Sequence, residues 1–322
     1  MISELYIGRL RIIGFGLMLV VALTLPLLLS NFRVFQLTMV LIYGMALLGL
    51  NFLTGYTGQI SLGHGAFFAM GAYTTAILMN HFAVPYWATV PVAGVLCFVF
   101  GFLFGRPALR LEGHYLALAT FALAIAVPSI LKHKSLEAWT GGVQGISLLK
   151  PAAPAWLPLS ADRWLYFFTL AVAIVLFVTA HNLLRGRIGR AMIAIREHSV
   201  AAAVMGIDLP FYKSITFGIS ALYTGIAGAL GAIALQFVAP DSFGVFLSVN
   251  FLVGAVVGGM TSILGTLFGA VFLVFVPNIS EDISKAAPGA IFGTLLLLSL
   301  YVMPSGIAGL LAHLSKRFLS KR

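Results

Sequence analysis

Apolar residues fall along this chain in blocks of 13 to 25, parted by short polar stretches. Ten blocks stand out, at about Ile12–Ser30, Val34–Leu53, Ala66–Met79, Tyr86–Phe104, Tyr115–Leu131, Trp164–Leu184, Ser214–Val238, Phe246–Gly258, Leu264–Val276 and Ile291–Met303. A helix rises ~1.5 Å per residue and needs about 20 apolar residues to cross a hydrocarbon core of ~30 Å. Repeated blocks of that order predict an all-α polytopic membrane protein with about ten transmembrane helices. No long polar insertion interrupts them, so the pattern predicts one membrane domain over 1–322, with a basic tail at 306–322. The first block lacks a small-residue cleavage site and is long for a signal peptide, which makes it a retained span.

Composition sharpens the class. Hydrophobic residues make up 61% of the chain and charged residues 9%, against about 25% charged in a soluble protein. Too little charge is present to coat a water-facing surface. The single cysteine, Cys97, sits inside an apolar block, so an intrachain disulfide is excluded and no metal cluster is indicated. The net charge of +10 raises nucleic acid or anionic lipid as partners, and the positions of the charges decide between them. Let the N-terminus be cytoplasmic and all ten blocks cross. Thirteen basic residues then fall inside: Arg9, Arg11, Arg106, Arg110, Arg185, Arg187, Arg190, Arg196, Lys213, Lys316, Arg317, Lys321 and Arg322. Six fall outside: Arg33, Lys132, Lys134, Lys150, Arg163 and Lys285. Excess Lys and Arg on the cytoplasmic side is the bias of membrane topology, and Trp87, Trp139, Trp156 and Trp164 fall in or beside the outer loops, at interface positions. The basicity reports an N-in, C-in arrangement against membrane lipid, with no nucleic acid partner.

Ten spans divide into two halves of five, about 1–160 and 161–305, and an odd number per half forces the second to run inverted. Inverted repeats are a common transporter plan. Gly58–Ala72 (GQISLGHGAFFAMGA) loosely echoes Gly258–Phe272 (GGMTSILGTLFGAVF), either as a trace of that repeat or because Gly-rich membrane stretches look alike.

Three stretches carry candidate chemistry. In Gly55–Gly65, GYTGQISLGHG, four glycines are mixed with Gln59, Ser61 and His64. Each glycine costs a helix interior up to about 1 kcal/mol, and the helix predicted after it, Ala66–Met79, is ~21 Å long and too short to span. Unwound backbone in a membrane is tolerated where it is buried in protein or lines a water-filled cavity. Gly55, Gly58, Gln59, Ser61, Gly63 and His64 are therefore candidates to border a solute path through a broken helix; the other reading is a cytoplasmic loop with glycines for packing. His64 has no membrane-embedded carboxylate beside it, which favours hydrogen bonding over a proton relay. The second stretch, Arg185–Lys213, is the longest cytoplasmic connection. Helix formers at Glu197–Met205 follow a run of arginines and end at Gly206 and Pro210, giving either a docking helix for a soluble partner or a lipid-surface connector. The third pairs EGHYLALATF, with Glu112 and His114 at the mouth of a span, with TGGVQGI at Thr140–Ile146, a turn that either meets a delivery protein, gates the path or only reverses the chain.

Absences matter as well. The sequence has no Gly-x-x-x-x-Gly-Lys phosphate loop and no Gly-Lys pair, no nucleophile elbow and no buried carboxylate pair. Charges inside the spans, which mark ion-coupled carriers, are nearly missing. A transporter so built is a channel or is driven by another subunit.

At these stretches the chain resembles the LivM-type permeases of branched-chain amino acid ABC importers. The resemblance runs through LTGYTGQISLGHGAFFAMGAYTTA, the EGHYLALATF and TGGVQGI pair, GRAMIAIREHSVAAAVMGIDLPFYKSITFGISALYTGIAGALGA and FVAPDSFGVFLSVNFLVGAVVGGMTSILGTLFGA, in order and spacing. It implies a transport subunit of the bacterial inner membrane, not an enzyme, with no cofactor of its own. ATP would be bound by cytoplasmic ABC ATPase subunits, beside a homologous second permease and a periplasmic solute-binding protein. It also implies that Arg190, Arg196, Glu197, Ala201, Ala202 and Gly206 belong to a coupling loop seated in the ATPase, and that the Gly55–Gly65 stretch borders the translocation path. The expected solutes are leucine, isoleucine and valine; relatives of this type also serve urea, amides and other small organic solutes. Two departures bear on the substrate. Relatives carry a glutamate about five residues past the threonine of LALATF, where Ala122–Val127 is wholly apolar, and their Gly-Pro is Gly269-Ala270 here. A stand-alone channel or secondary carrier, and a membrane enzyme or scaffold, are the competing classes.

Overall fold

The computed structural model describes residues 16, 19–108, 113–154, 157–283, 285, 288–303 and 306–310. Arg9, Arg11, Arg110, Glu112, Trp156 and the basic residues of the tail lie outside them. The protein is an all-α polytopic membrane protein. Its helices run α1 (Leu19–Leu28), α2 (Asn31–Leu50), α3 (His64–Phe82), α4 (Tyr86–Ala108), α5 (His114–Leu131), α6 (Glu137–Thr140), α7 (Ala161–Arg185), α8 (Arg187–Glu197), α9 (Ser199–Val204), α10 (Leu209–Leu235), α11 (Val245–Gly258), α12 (Ile263–Ile283) and α13 (Pro288–Val302). Among the described residues seven helical stretches are long and apolar enough to cross a membrane: α2, α4, α5, α7, α10, α11 with the turn before it, and α12. α1 and the apolar part of α13 are shorter.

The block Ala66–Met79 understates α3, which covers 19 residues, or about 28 Å. Thr74, Thr75, Asn80 and His81 dilute its apolar signal, yet the helix continues until Ala83 turns left-handed at φ 49° and donates its N–H to the Leu78 carbonyl. A helix too short to span is thus corrected to one of nearly full length. α10 likewise starts earlier than its apolar block. Asp208 caps it by accepting from the Phe211 N–H, with Pro210 in the first turn, where proline's missing N–H costs nothing.

Packing sorts the helices. In α2 and α10 the buried share of the apolar window is 83% and 89%, against 28–39% in α4, α5, α7, α11 and α12. The two buried helices form a centre held by small residues. A Cβ at Gly71 of α3 would strike the Gly225 carbonyl of α10, and one at Gly101 of α4 would sit 2.5 Å from the Ala221 Cβ. Where apolar chains face apolar surroundings, close backbone approach and dispersion hold helices together. The peripheral helices keep apolar side chains outward, as at Val95, Leu118, Val175 and Leu298, which only a hydrocarbon or protein neighbour tolerates.

α2 and α10 run antiparallel: Gly49 meets Ser220 and Thr224, and Gly231 approaches Ile42. Each is followed by non-helical chain before the next helix. After α2 comes a π-helical turn, Asn51–Tyr56, and then an irregular segment at 57–63. After α10 come a short strand, β2 (Phe237–Val238), and a 3-10 turn at Pro240–Phe243. The Gly-rich stretches Gly58–Ala72 and Gly258–Phe272 begin close together, where Tyr56 Oη donates to the Thr261 carbonyl at 2.5 Å.

The TGGVQGI stretch forms a turn that ends in a strand, β1 (Ile146–Ser147), paired antiparallel with β2. Alternation over two residues is too short to leave a pattern in the sequence.

Candidate functional site

The Gly-rich stretch is a break between two helices, and most of it is buried. Gly55 lies in the π-helical turn, Gly58 takes φ 75°, Gly63 caps α3 and His64 is its first residue. Several backbone groups of the break are satisfied by protein groups, as a membrane interior requires. Thr57 Oγ1 donates to the Phe52 carbonyl at 2.9 Å, Thr54 Oγ1 to the Gln59 carbonyl at 3.1 Å, and the Gln59 N–H to the Leu53 carbonyl at 3.0 Å. The Leu62 N–H donates to Thr120 Oγ1 of α5 at 3.0 Å, and a Cβ at Gly63 would lie 2.8 Å from the Thr120 carbonyl.

Ser61 and His64 belong to a buried relay of hydrogen bonds. Ser220 Oγ of α10 donates to the Gly49 carbonyl at 2.6 Å, so it accepts from His64 Nε2 at 2.7 Å. That places the proton on Nε2 and leaves Nδ1 to accept from Ser61 Oγ at 3.1 Å; the tautomer follows from the network. Ser61 Oγ in turn accepts from the Gly63 N–H at 3.3 Å. Both ring nitrogens are engaged in fastening α2, α3 and α10 at the break.

Gln59 is the exception. Its side-chain oxygen and nitrogen are both buried and have no hydrogen-bond partner. An unpaired buried amide costs about 1–3 kcal/mol per group unless something polar meets it, and such groups call for a bound water or a passing ligand.

The break is tied to two other elements. Asn51 Nδ2 donates to the Ser262 carbonyl at 3.1 Å while its Oδ1 accepts from the Thr261 N–H at 2.9 Å, fastening the loop between α11 and α12. The Gly65 N–H donates to Ser248 Oγ at 2.9 Å, joining the start of α3 to the first turn of α11. Arg196 Nη1, at the end of α8, donates to the Gly55 carbonyl at 2.8 Å.

The connection Arg185–Lys213 differs from its expected form. The residues taken as a lead-in are helical: α8 begins at Arg187 and buries Ala191, Met192 and Ile195. It stops at Glu197 because His198 is extended (φ −159°, ψ 95°), and α9 restarts at Ser199 for six residues. Arg190 Nη1 donates to the Arg185 carbonyl at 3.0 Å, and Glu197 is exposed. In α9, Ala202 is buried and Ala201 exposed. Gly206, at φ 87°, closes the helix with its N–H on the Ala203 carbonyl, followed by Ile207 on Ala202. The outward face is apolar: Val200, Val204 and Met205 are 67, 83 and 82% exposed.

The structure thus brings together Gly55, Gly58 and Arg196, drawn from two separate stretches. His114 is exposed at the start of α5 and joins neither. Asn51, Thr120, Ser220 and Ser248 were not singled out as site residues by sequence reasoning; the one signal was a polar residue inside an apolar helix. Among the described residues no group of three or more His, Cys, Asp or Glu converges as a metal site.

The family described as branched-chain amino acid transport system / permease component matches residues 32–303. The high-affinity branched-chain amino acid transport system permease protein LivM of Salmonella typhimurium is 34% identical over 90% of this chain and 73% of its own. The corresponding protein LivH of the same organism is 25% identical over 83% of this chain and 91% of its own. Among solved structures, PsaBC from Streptococcus pneumoniae in complex with Fab aligns over 85% of this chain and 92% of that one, with a TM-score of 0.43 and 14% identity. That likeness is too loose to add to the fold.

Proposed function

The chain belongs to the branched-chain amino acid transport system permease family, and we propose that it is the transmembrane permease subunit of an ATP-driven importer. Its solutes are leucine, isoleucine and valine, carried across a bacterial inner membrane. The observation that carries the reading is the joint one: a buried helix break with an unpartnered amide at Gln59, tied to a cytoplasmic helix pair with an exposed apolar end. A permease needs both, a polar interruption in the apolar wall and a surface for its motor.

The rest of the assembly follows from what this chain lacks and presents. With no phosphate loop in its sequence, it takes energy from cytoplasmic ABC ATPase subunits seated on α9. Ala202 and Gly206 set the shape of that helix, and Val200, Val204 and Met205 form the contact. Similarity to both LivM and LivH supports a homologous second permease, and a periplasmic solute-binding protein delivers from the other side. We read ten spans in one domain, formed by α1–α5 and by α7 with α10–α13, with both termini cytoplasmic. The antiparallel α2 and α10, each second in its half and each followed by a break, support two inverted halves of five. On this reading Gly55, Gly58, Gln59, Ser61, Gly63 and His64 hold the break open beside the path. The amide of Gln59 can pair with either end of a zwitterionic solute.

Uptake of radiolabelled solutes by cells carrying the full set of subunits, with and without this chain, tests the reading. Leucine, isoleucine and valine should enter only when the chain is present, and urea and acetamide should not. Entry of the amides alone would reassign the substrate, and uptake indifferent to the chain would remove the function.

A further inference from the structure

The contact between Arg196 and the Gly55 carbonyl joins the two halves of the mechanism, and it lies where force must pass. α8 is anchored in the bundle through Ala191, Met192 and Ile195, while α9, just past the extended His198, presents its apolar face outward. Arg196 is in the last turn of α8, two residues before that bend. Its Nη1 donates to the Gly55 carbonyl at 2.8 Å. Its stem passes over Gly58, where a Cβ would meet Arg196 Cγ at 3.3 Å. Among the described residues no carboxylate pairs with it, so the Gly55 carbonyl is the partner that fixes the guanidinium.

The receiving end is built to shift. Gly55 lies in a π-helical turn, a register fault found often at functional sites. The irregular segment with Gln59 and Ser61 follows directly, and the same turn holds the α11–α12 loop through Asn51 and Tyr56. A displacement of α8 therefore reaches both the break and the loop through one carbonyl group. Coupling between distant sites needs such a contiguous chain of contacts with an element that has two arrangements.

We propose that Arg196 is a positioning residue that transmits ATPase-driven movement of α8 and α9 to the helix break through the Gly55 carbonyl. This rests on the reading of α9 as the ATPase docking helix. Arg196 acts through the backbone of Gly55 and touches neither solute nor nucleotide.

The test uses the complete transporter in proteoliposomes, with solute uptake and ATP hydrolysis measured on the same sample. Arg196→Met keeps the apolar stem on Gly58 and removes every donor; Arg196→Lys returns a charged donor. In Arg196→Met the solute moved per ATP should fall about fivefold or more, the range of an ordinary coupling energy, with the ATPase still co-purifying. Arg196→Lys should recover part of that ratio. An unchanged ratio, or loss of the ATPase from the purified complex, overturns the relay; should Arg196→Met not fold, a wild-type ratio in Arg196→Lys without the Gly55 contact does the same. Ala202→Glu separates the two readings. If it leaves ATPase association intact, the docking assignment of α9 fails; if it breaks association while Arg196→Met couples normally, the relay alone fails.

Discussion

Replacing Gln59 with leucine should make the protein more stable and less able to transport. Both polar atoms of the Gln59 side chain are buried and unpartnered. Each such group costs about 1–3 kcal/mol, and a bound water recovers part of that. Leucine is close in volume and brings no polar atom, so the fold should gain about 1–3 kcal/mol after that discount. Thermal unfolding of the purified permease in detergent, followed through tryptophan fluorescence, should show a transition a few degrees higher. Uptake by the reconstituted transporter should fall because the path loses its amide. Stability exchanged for function is the pattern of a site that keeps an unsatisfied group for a ligand. A lower transition temperature would mean that the amide is paired in the folded protein. A higher one with undiminished uptake would mean that Gln59 faces no solute.

Four further outcomes are expected. Ser220→Ala should destabilise the fold by about 1–3 kcal/mol, since it removes the bond to the Gly49 carbonyl and orphans His64 Nε2; chemical unfolding in mixed detergent reads it. Gly71→Leu should yield no folded permease by size-exclusion chromatography, because its Cβ would strike the Gly225 backbone, which cannot move aside. Cys97 is fully buried, with its Sγ directed at the Phe67 carbonyl at 3.6 Å, so maleimide should label it only after denaturation. With Cys97 silent, Leu149→Cys should react with an impermeant maleimide applied outside intact cells, and Val204→Cys only after permeabilisation; the reverse pattern would invert the topology.

Helices were the legible part of this sequence, because apolar length is a property of contiguous residues. Their ends were less so. The polar residues Asn80 and His81 hid the last turn of α3, and the arginines before Glu197 hid α8, whose buried face rests on three apolar positions. The break at Gly55–Gly65 was legible from glycine density, and its irregular course is as expected. What the sequence could not display was who meets it. Thr120, Ser220 and Ser248 reach the break from 58, 156 and 183 positions away from their partners, and spacing of that order carries no local signal. The contact of Arg196 with Gly55 spans 141 positions, which is why two stretches read as separate sites prove to be neighbours. The antiparallel approach of α2 and α10 is a tertiary fact that no local pattern displays.

ATP-driven release of leucine from sealed proteoliposomes containing the whole transporter, with the ATPase facing the bath, tests most directly whether this chain is the permease of an ATP-driven importer. Solute-loaded binding protein is enclosed in the lumen, and export to the bath is followed as ATP is added with proton and sodium gradients collapsed by ionophores. Leucine should leave the lumen when hydrolysable ATP is supplied and stay there with a non-hydrolysable analogue. Movement that needs an imposed ion gradient and ignores ATP would contradict the account and make the chain a secondary carrier.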